Sequence, residues 1–408
     1  MIVSTVPGND TRAAVLRALA YATVASAPLE GYLTAAHPHF AKVLPALFVA
    51  TWLVVRVQER RTPEPAPLHV VVALLATVVT ITAAAHSSGS FTAEYTARWL
   101  PFLVLTVVLA DVARREAPIR GVLLAMAAGA AVAGLGALYS LFVDGQARAS
   151  GPLEDPNDLA YFLVAAVPLF FLARRDTPRR MVSVSLVCAV VVAGATATFS
   201  RGGALGLAAA AGWLFLRRVL SWRPLAVAVV AAGVLCLAAT LFAGPRIERA
   251  FQEKTHIAAS NVDTRELRWQ AAARLVATHP VLGVGPGGFR EEYAAASHNA
   301  ELDEQTPVAH NMYLEVAAEL GLPGFALFAA VIGIAVTASE RAVRTGTPSA
   351  RTEAVVIQAS LLAVLVTSAF LSEQYYLPLW ALAACAVAAE NRVHGRKGGS
   401  DADPARDQ

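Results

Sequence analysis

Apolar stretches of membrane-crossing length alternate with short polar loops along almost the whole chain. About 20 apolar residues cover the roughly 30 Å of bilayer hydrocarbon as a helix. The pattern predicts twelve spans, at 13–29, 38–55, 68–86, 97–113, 119–142, 159–173, 181–199, 203–217, 224–243, 313–338, 353–372 and 375–391. The sixth and eighth are the shortest and are expected to be either poorly tilted or partly shielded by neighbours. One long polar stretch, 244–312, interrupts the alternation between the ninth and tenth spans. The expected fold is therefore an all-α polytopic membrane protein, with about 12 transmembrane helices in a single domain over 1–408 and one large loop at 244–312. The last residues, 392–408, are polar and expected to be disordered.

Composition fits that picture: of 408 residues, 56% are hydrophobic and 15% charged, against about 25% charged in soluble domains. No nucleic-acid partner is expected. Cys188, Cys236 and Cys385 all fall inside apolar spans and read as packed thiols. No Cys/His cluster has zinc spacing. Ala25-Ser26-Ala27 resembles a signal-peptidase site, but Pro28 follows it directly, so the first span is expected to be retained.

Arginines set the orientation. Sixteen lie at the loops that follow even-numbered spans: Arg56, Arg60, Arg61, Arg114, Arg115, Arg120, Arg174, Arg175, Arg179, Arg180, Arg217, Arg218, Arg223, Arg341, Arg344 and Arg351. The opposite short loops hold only Arg98, Arg148 and Arg201. The positive-inside rule places the first set and both termini in the cytoplasm, and 244–312 outside the membrane. ATP and nucleotide sugars are cytoplasmic, so chemistry in that loop needs a donor already activated. A lipid-linked donor fits.

The loop and its borders carry the candidate chemistry. Arg246, Arg249, Lys254, Arg265, Arg268, Arg274 and Arg290 lie in it, with His279, His298 and His310. Residues 261–269 read as a helix start, capped by Asp263 with Glu266 three residues on. Arg265 and Arg268 fall on one face of it. They fit either a solvated helix touching lipid headgroups or a clamp for diphosphate, which guanidinium groups grip at two points. Arg201, in Ser200-Arg201-Gly202-Gly203, fits either a snorkelling side chain or an anion site whose glycines let a phosphate approach the backbone.

Pro156-Asn157-Asp158 precedes the sixth span. Asp155 and Asp158 fit a divalent cation, or, as the better account, a turn with a helix cap from Asn157 or Asp158. Gly283-Val284-Gly285-Pro286-Gly287-Gly288 matches a dinucleotide-binding fingerprint literally, yet it lacks the strand and sheet context. A tight turn between two short helices explains it better.

His310 stands where the tenth span begins, followed by Asn311 and Tyr313, with Glu315 and Glu319 one turn apart. The helix dipole disfavours an imidazolium there, so the ring stays neutral and fits a general base. His298 lies among acidic loop residues and His279 precedes Pro280, so neither is favoured for chemistry. Gly321-Leu322-Pro323-Gly324 interrupts the span.

Twelve spans, Ser200-Arg201-Gly202, Arg265 with Trp269, Pro280 through Gly283, Gly285, Gly288 and Phe289, and His310-Asn311-x-Tyr313-Leu314 with Glu319-x-Gly321-x-x-Gly324 together resemble the O-antigen ligase and polymerase family. The resemblance is best over about 155–325. It implies a GT-C-like membrane glycosyltransferase, inverting and independent of metal or cofactor. The implied donor is a glycan on undecaprenyl diphosphate, and the implied acceptor is lipid A–core or another lipid-linked glycan. By motif, Arg201 and Arg265 would bind diphosphate and His310 would deprotonate the acceptor hydroxyl. Asn157 matches a Pro-Asn element of the family, and Asn311 and Tyr313 join the expected substrate contacts. Arg268 falls on no family motif and is assigned by position alone. The expected activity is O-antigen ligation at the outer face of a bacterial inner membrane. The rivals are a polymerase of lipid-linked repeats, a ligase for protein or another polymer, and a twelve-span transporter. The last would place its polar groups at the midplane of broken helices, not in an outer loop.

Overall fold

Hydrocarbon offers the main chain no hydrogen-bond partners, so a spanning chain of this composition must pair its amides within helices. The computed structural model describes residues 7–63, 65–173, 177–221, 264–301 and 306–400, and among these there is no strand. The helices are α1 (Pro7–Ser26), α2 (Glu30–Ala36), α3 (Phe40–Glu59), α4 (Pro67–Ala85), α5 (Thr92–Arg115), α6 (Ile119–Phe142) and α7 (Pro156–Ala166). They continue with α8 (Pro178–Ala197), α9 (Arg201–Leu216), α10 (264–278), α11 (Gly288–Ala296), α12 (Met312–Thr345), α13 (Pro348–Thr367) and α14 (Leu377–Ser400).

Among the described residues, seven helices are long and apolar enough to cross a membrane: α3, α4, α5, α6, α8, α12 and α13. The chain is a polytopic helical membrane protein. The expected short sixth span is α7 continued by a 3₁₀ segment, Val167–Leu172, and the short eighth is α9. Every residue of α7 from Leu159 to Ala166 is buried, which is the shielding a short span needs. The expected span 224–243, the Asp263 cap, Cys236, Arg246, Arg249 and Lys254 lie outside the described residues. The tail expected to lack structure from 392 is helical to Ser400. Arg392 fixes the start of that extension by donating to the Arg114 and Ala117 carbonyls.

α13 and α14 form the centre, with α13 against α9, α12 and α14, and α14 also against α5. Trp99, Phe328 and Trp380 pack edge-on at centroid distances of 6.1 Å, the arrangement that ring quadrupoles favour. Around this core, α3, α4 and α8 turn apolar side chains such as Leu47, Leu53, Val57, Val70 and Leu186 outward, as lipid contact requires.

The two ends of the bundle differ in how they treat arginine. At one end Arg56 is buried among Asp111 (2.7 Å), Glu116 (2.8 Å) and Glu59 (3.3 Å). Arg217 pairs there with Glu340 at 2.5 Å, and Arg341 with Glu390 at 2.9 Å. The other end collects the starts of α5, α7, α9, α12 and α14, joined by α10 and α11.

A break in α12 seats the loop on the bundle. Gly321 has φ +66°, and Pro323 has no N–H to return to the Glu319 carbonyl. The freed Ala318 and Glu319 carbonyls instead accept from Val284 N–H and Gly285 N–H, each at 2.9 Å, while Leu322 N–H turns to the Pro280 carbonyl at 2.8 Å. The glycine-rich segment is thus a tight turn between α10 and α11. Side chains are barred by contact: a Cβ at Gly283 would lie 2.4 Å from the Glu319 carbonyl. Ala271, Ala272, Leu275, Val284, Phe289, Tyr293, Ala309 and Ala318 form a second small core under this loop.

Candidate active site

Arg201 opens α9. Ser200 caps that helix, its Oγ accepting from Gly203 N–H at 3.2 Å, and Phe199 just before it is held at φ +52°. Gly202 and Gly203 serve close packing. Added Cβ atoms would meet Phe370 Cβ at 3.1 Å and Ala160 Cβ at 2.9 Å. Arg201 itself is exposed.

Arg265 lies in the first turn of α10 and is partly buried. Burial and then the cations Arg201, Arg148 and Arg268 push its guanidinium below the ordinary arginine range, with Asp155 opposing. Three arginines from three separate segments therefore act on the fourth. Among the described residues, the side chain of neither Arg201 nor Arg265 makes a hydrogen bond or ion pair. Guanidinium groups gathered in this way create a positive potential that attracts anions.

Arg148, not among the expected site residues, joins this cluster. Its Nε donates to the Thr198 carbonyl at 2.9 Å, and its Nη2 to Asn157 Oδ1 at 3.0 Å, which aims the guanidinium beside Arg265. The signal was present in the chain. Arg148, like Arg201, defies the arginine asymmetry. The third exception, Arg98, pairs with Glu94 on its own helix at 2.6 Å.

The turn before α7 is capped by Asp155, and not by Asn157 or Asp158 as expected. Asp155 Oδ1 accepts from Asn157 N–H at 2.7 Å and from its side-chain amide at 2.9 Å. Pro at the first helical position selects the residue before it as cap. Asn157 is left to orient Arg148. Asp158 turns inward and accepts from the Tyr376 hydroxyl at 2.6 Å.

His310 precedes α12 at φ +48°, a left-handed geometry that non-glycine residues seldom adopt. Burial, then Arg265 and Arg268, push its imidazole down to about 4, with Glu315 and Asp155 opposing. The ring is a neutral acceptor facing the arginine cluster. Asn311 caps α12, its Oδ1 accepting from Tyr313 N–H and Leu314 N–H at 3.1 Å each. The Tyr313 hydroxyl donates to the Leu365 carbonyl at 2.7 Å. Both side chains thus hold the start of α12 in place.

Arg268 is committed as well, to Glu301, and lies mostly buried. His298 and Asn299 form a left-handed turn after α11, and His279 contacts Thr278 Oγ1. Neither histidine joins the cluster.

A second network was not foreseen. Arg290 of α11 reaches Glu319 at 3.1 Å and Glu315 at 3.3 Å, both fully buried in α12, and lies 3.9 Å over the Tyr95 ring. Tyr375 donates to Glu319 at 3.0 Å, and Gln374 to Glu315 at 3.0 Å. Burial opposes the Arg290 charge, but Glu315 and Glu319 outweigh it and raise its affinity for the proton. The i, i+4 spacing of the two glutamates signalled a shared helix face. It did not signal the cation between them.

No curated protein matches the chain. Residues 186–329, from within α8 to within α12, match the family model described as O-Antigen ligase. That stretch includes Arg201, Arg265, His310 and the glycine turn. Enzymes of this family are glycosyltransferase-like, and the match lends a transporter no support. Over residues 186–329, then, the chain is similar to the O-antigen ligase family.

Proposed function

We propose that the protein is an O-antigen ligase-type, inverting glycosyltransferase that moves a glycan from undecaprenyl diphosphate to a lipid A–core hydroxyl. The observation that carries this reading is the meeting of Arg148, Arg201 and Arg265 with the neutral His310 at one end of the bundle. The diphosphate sits among the arginines, with its prenyl chain left in the bilayer. Asn157 acts through Arg148, and Arg268 shapes the site from its pair with Glu301.

His310 takes the proton of the acceptor hydroxyl as the oxygen attacks the anomeric carbon. The carbon–oxygen bond to the diphosphate breaks on the opposite face, which inverts the anomeric configuration. Charge developing on the departing phosphate meets guanidinium groups already in place. A positioned base contributes about 10²–10⁴-fold. Fixed cations do the work a metal ion would do, so the reaction proceeds without one.

In this reading the chain crosses the inner membrane twelve times as one domain, including 224–243, in a GT-C-like arrangement. Both termini lie in the cytoplasm and 244–312 in the periplasm. The arginine-paired end faces the cytoplasm and the cluster faces outward, in keeping with the positive-inside rule.

The test is transfer by purified protein in liposomes, given undecaprenyl-diphosphate-linked glycan with lipid A–core. Glycan appearing on the core supports the ligase. Elongated lipid-linked glycan with bare core would make it a polymerase, and no transfer to either acceptor would refute the assignment.

A further inference from the structure

We propose that Glu315 is a positioning residue for the His310 base, holding both its backbone and its charge environment. This rests on the reading of His310 as base. Glu315 lies one turn into α12 with no exposed surface. Its Oε2 accepts from Ala309 N–H at 3.0 Å and from the Ser372 hydroxyl. Its Oε1 accepts from Gln374 Nε2 at 3.0 Å and faces Arg290 Nη2 at 3.3 Å.

Helix capping alone does not call for this arrangement. Asn311 already satisfies two amides at the start of α12. In a capping box the acidic side chain returns to the N–H of the cap residue. Glu315 reaches further, past Asn311 and His310, to Ala309. His310 is thereby bracketed by a side-chain hydrogen bond on each neighbour, and strained backbone persists where its surroundings over-determine it. Balancing Arg290 does not explain the arrangement either, because Arg290 has the closer partner in Glu319.

The charge points the same way. The ionisable groups acting most strongly on His310 are Arg265 and Arg268 on α10, Glu315, and Asp155 before α7, and Glu301 also faces its charge. Arg265, which the diphosphate needs, and Arg268, paired with Glu301, suppress the basicity of the imidazole. Glu315 opposes them from the buried side, where it does not compete for the phosphate.

Glu315→Gln keeps the size and one acceptor oxygen but removes the charge. Two readouts apply: steady-state transfer, and the pH dependence of His310 carbethoxylation by diethyl pyrocarbonate, followed by peptide mass spectrometry. The variant is expected to bind undecaprenyl diphosphate within about threefold of wild type and to lose about 10- to 100-fold in kcat. His310 should titrate at lower pH. Ser372→Ala, which removes one anchor and no charge, should lose several-fold in kcat with unchanged donor binding; it also decides the matter if Glu315→Gln does not fold. Folded variants with wild-type kcat and wild-type His310 titration would overturn the proposal. So would a loss of donor binding as large as the loss in kcat. If His310→Ala keeps full activity, the base assignment fails instead; the titration still reads whether Glu315 governs His310.

Discussion

Arg268 and Glu301 face each other through two parallel hydrogen bonds, Nε to Oε2 at 3.0 Å and Nη2 to Oε1 at 3.1 Å. Glu301 thereby occupies the Nε/Nη2 edge, Nη1 points to the Val308 carbonyl at 3.5 Å, and the Tyr293 hydroxyl closes the pair from the side. Arg265, three residues earlier on the same helix, has no such partner among the described residues. Arg268→Ala should therefore act on stability. Loss of hydrogen bonds to a charged partner costs about 1.5–3 kcal/mol, read as a lower melting temperature in detergent. Affinity for undecaprenyl diphosphate should change by less than about threefold.

Arg201→Ala and Arg265→Ala should do the opposite. Each is expected to weaken undecaprenyl diphosphate by an amount on the order of 2–5 kcal/mol, as when one partner of a buried charge pair is truncated. Lysine keeps the charge without the planar two-point contact, so Arg→Lys should restore little. Arg148→Ala belongs with these two, and Asn157→Ala should give a weaker version of it. Direct binding to purified variants measures each. Normal binding by both Arg201→Ala and Arg265→Ala would remove the cluster from the mechanism.

His310 gives a pH signature with a definite sign. Its folded-state value of about 4 lies below the ordinary 6.5. A histidine depressed in this way contributes its full stability above 6.5 and loses it as the pH falls toward 4, because the unfolded chain takes the proton first. The contribution is on the order of 3 kcal/mol. Melting of wild type should drop between pH 7 and pH 4.5 by more than that of His310→Gln. Binding of the diphosphate offsets Arg265 and Arg268, so His310 should titrate higher with undecaprenyl diphosphate present than without it.

The loop depends on its seat in α12. Gly321 at φ +66° would bring a Cβ to 2.5 Å from the Val281 carbonyl, and Gly283 at φ +63° meets the Glu319 carbonyl. Gly321→Ala and Gly283→Ala are each expected to cost on the order of 1–3 kcal/mol through backbone strain alone, and more through collision. Limited proteolysis of the loop should report its release from the bundle.

Topology is open to labelling. Cysteines at the exposed Glu292 and Ala295 should react with a membrane-impermeant maleimide in cells whose outer layer is permeable. Cysteines at Arg179 and Arg344 should not. Ser297 is a poor probe despite its loop position, since it is buried. Labelling of the second pair and protection of the first would invert the orientation and with it the site.

The sequence determined everything that depends on neighbours along the chain. Runs of apolar residues determine helices, because hydrocarbon leaves the backbone no other partner. The arginine asymmetry separated the paired end of the bundle from the end that carries Arg148 and Arg201. Gly321 and Pro323 marked the break in α12, and the glycine run marked the turn that fills it. The tertiary structure decided what each polar group does once it is there. Arg265 and Arg268 look alike on one helix, and only Glu301, 33 residues away, engages one of them. Asn157, inside the first turn of α7, is claimed by Arg148 from across the turn. Glu315 and Glu319 look like an ordinary helix face until Arg290 and the segment Ser372–Tyr375 close over them. A hydrogen bond or ion pair is fixed by distance in space, and residues far apart in the chain leave no periodic trace of it.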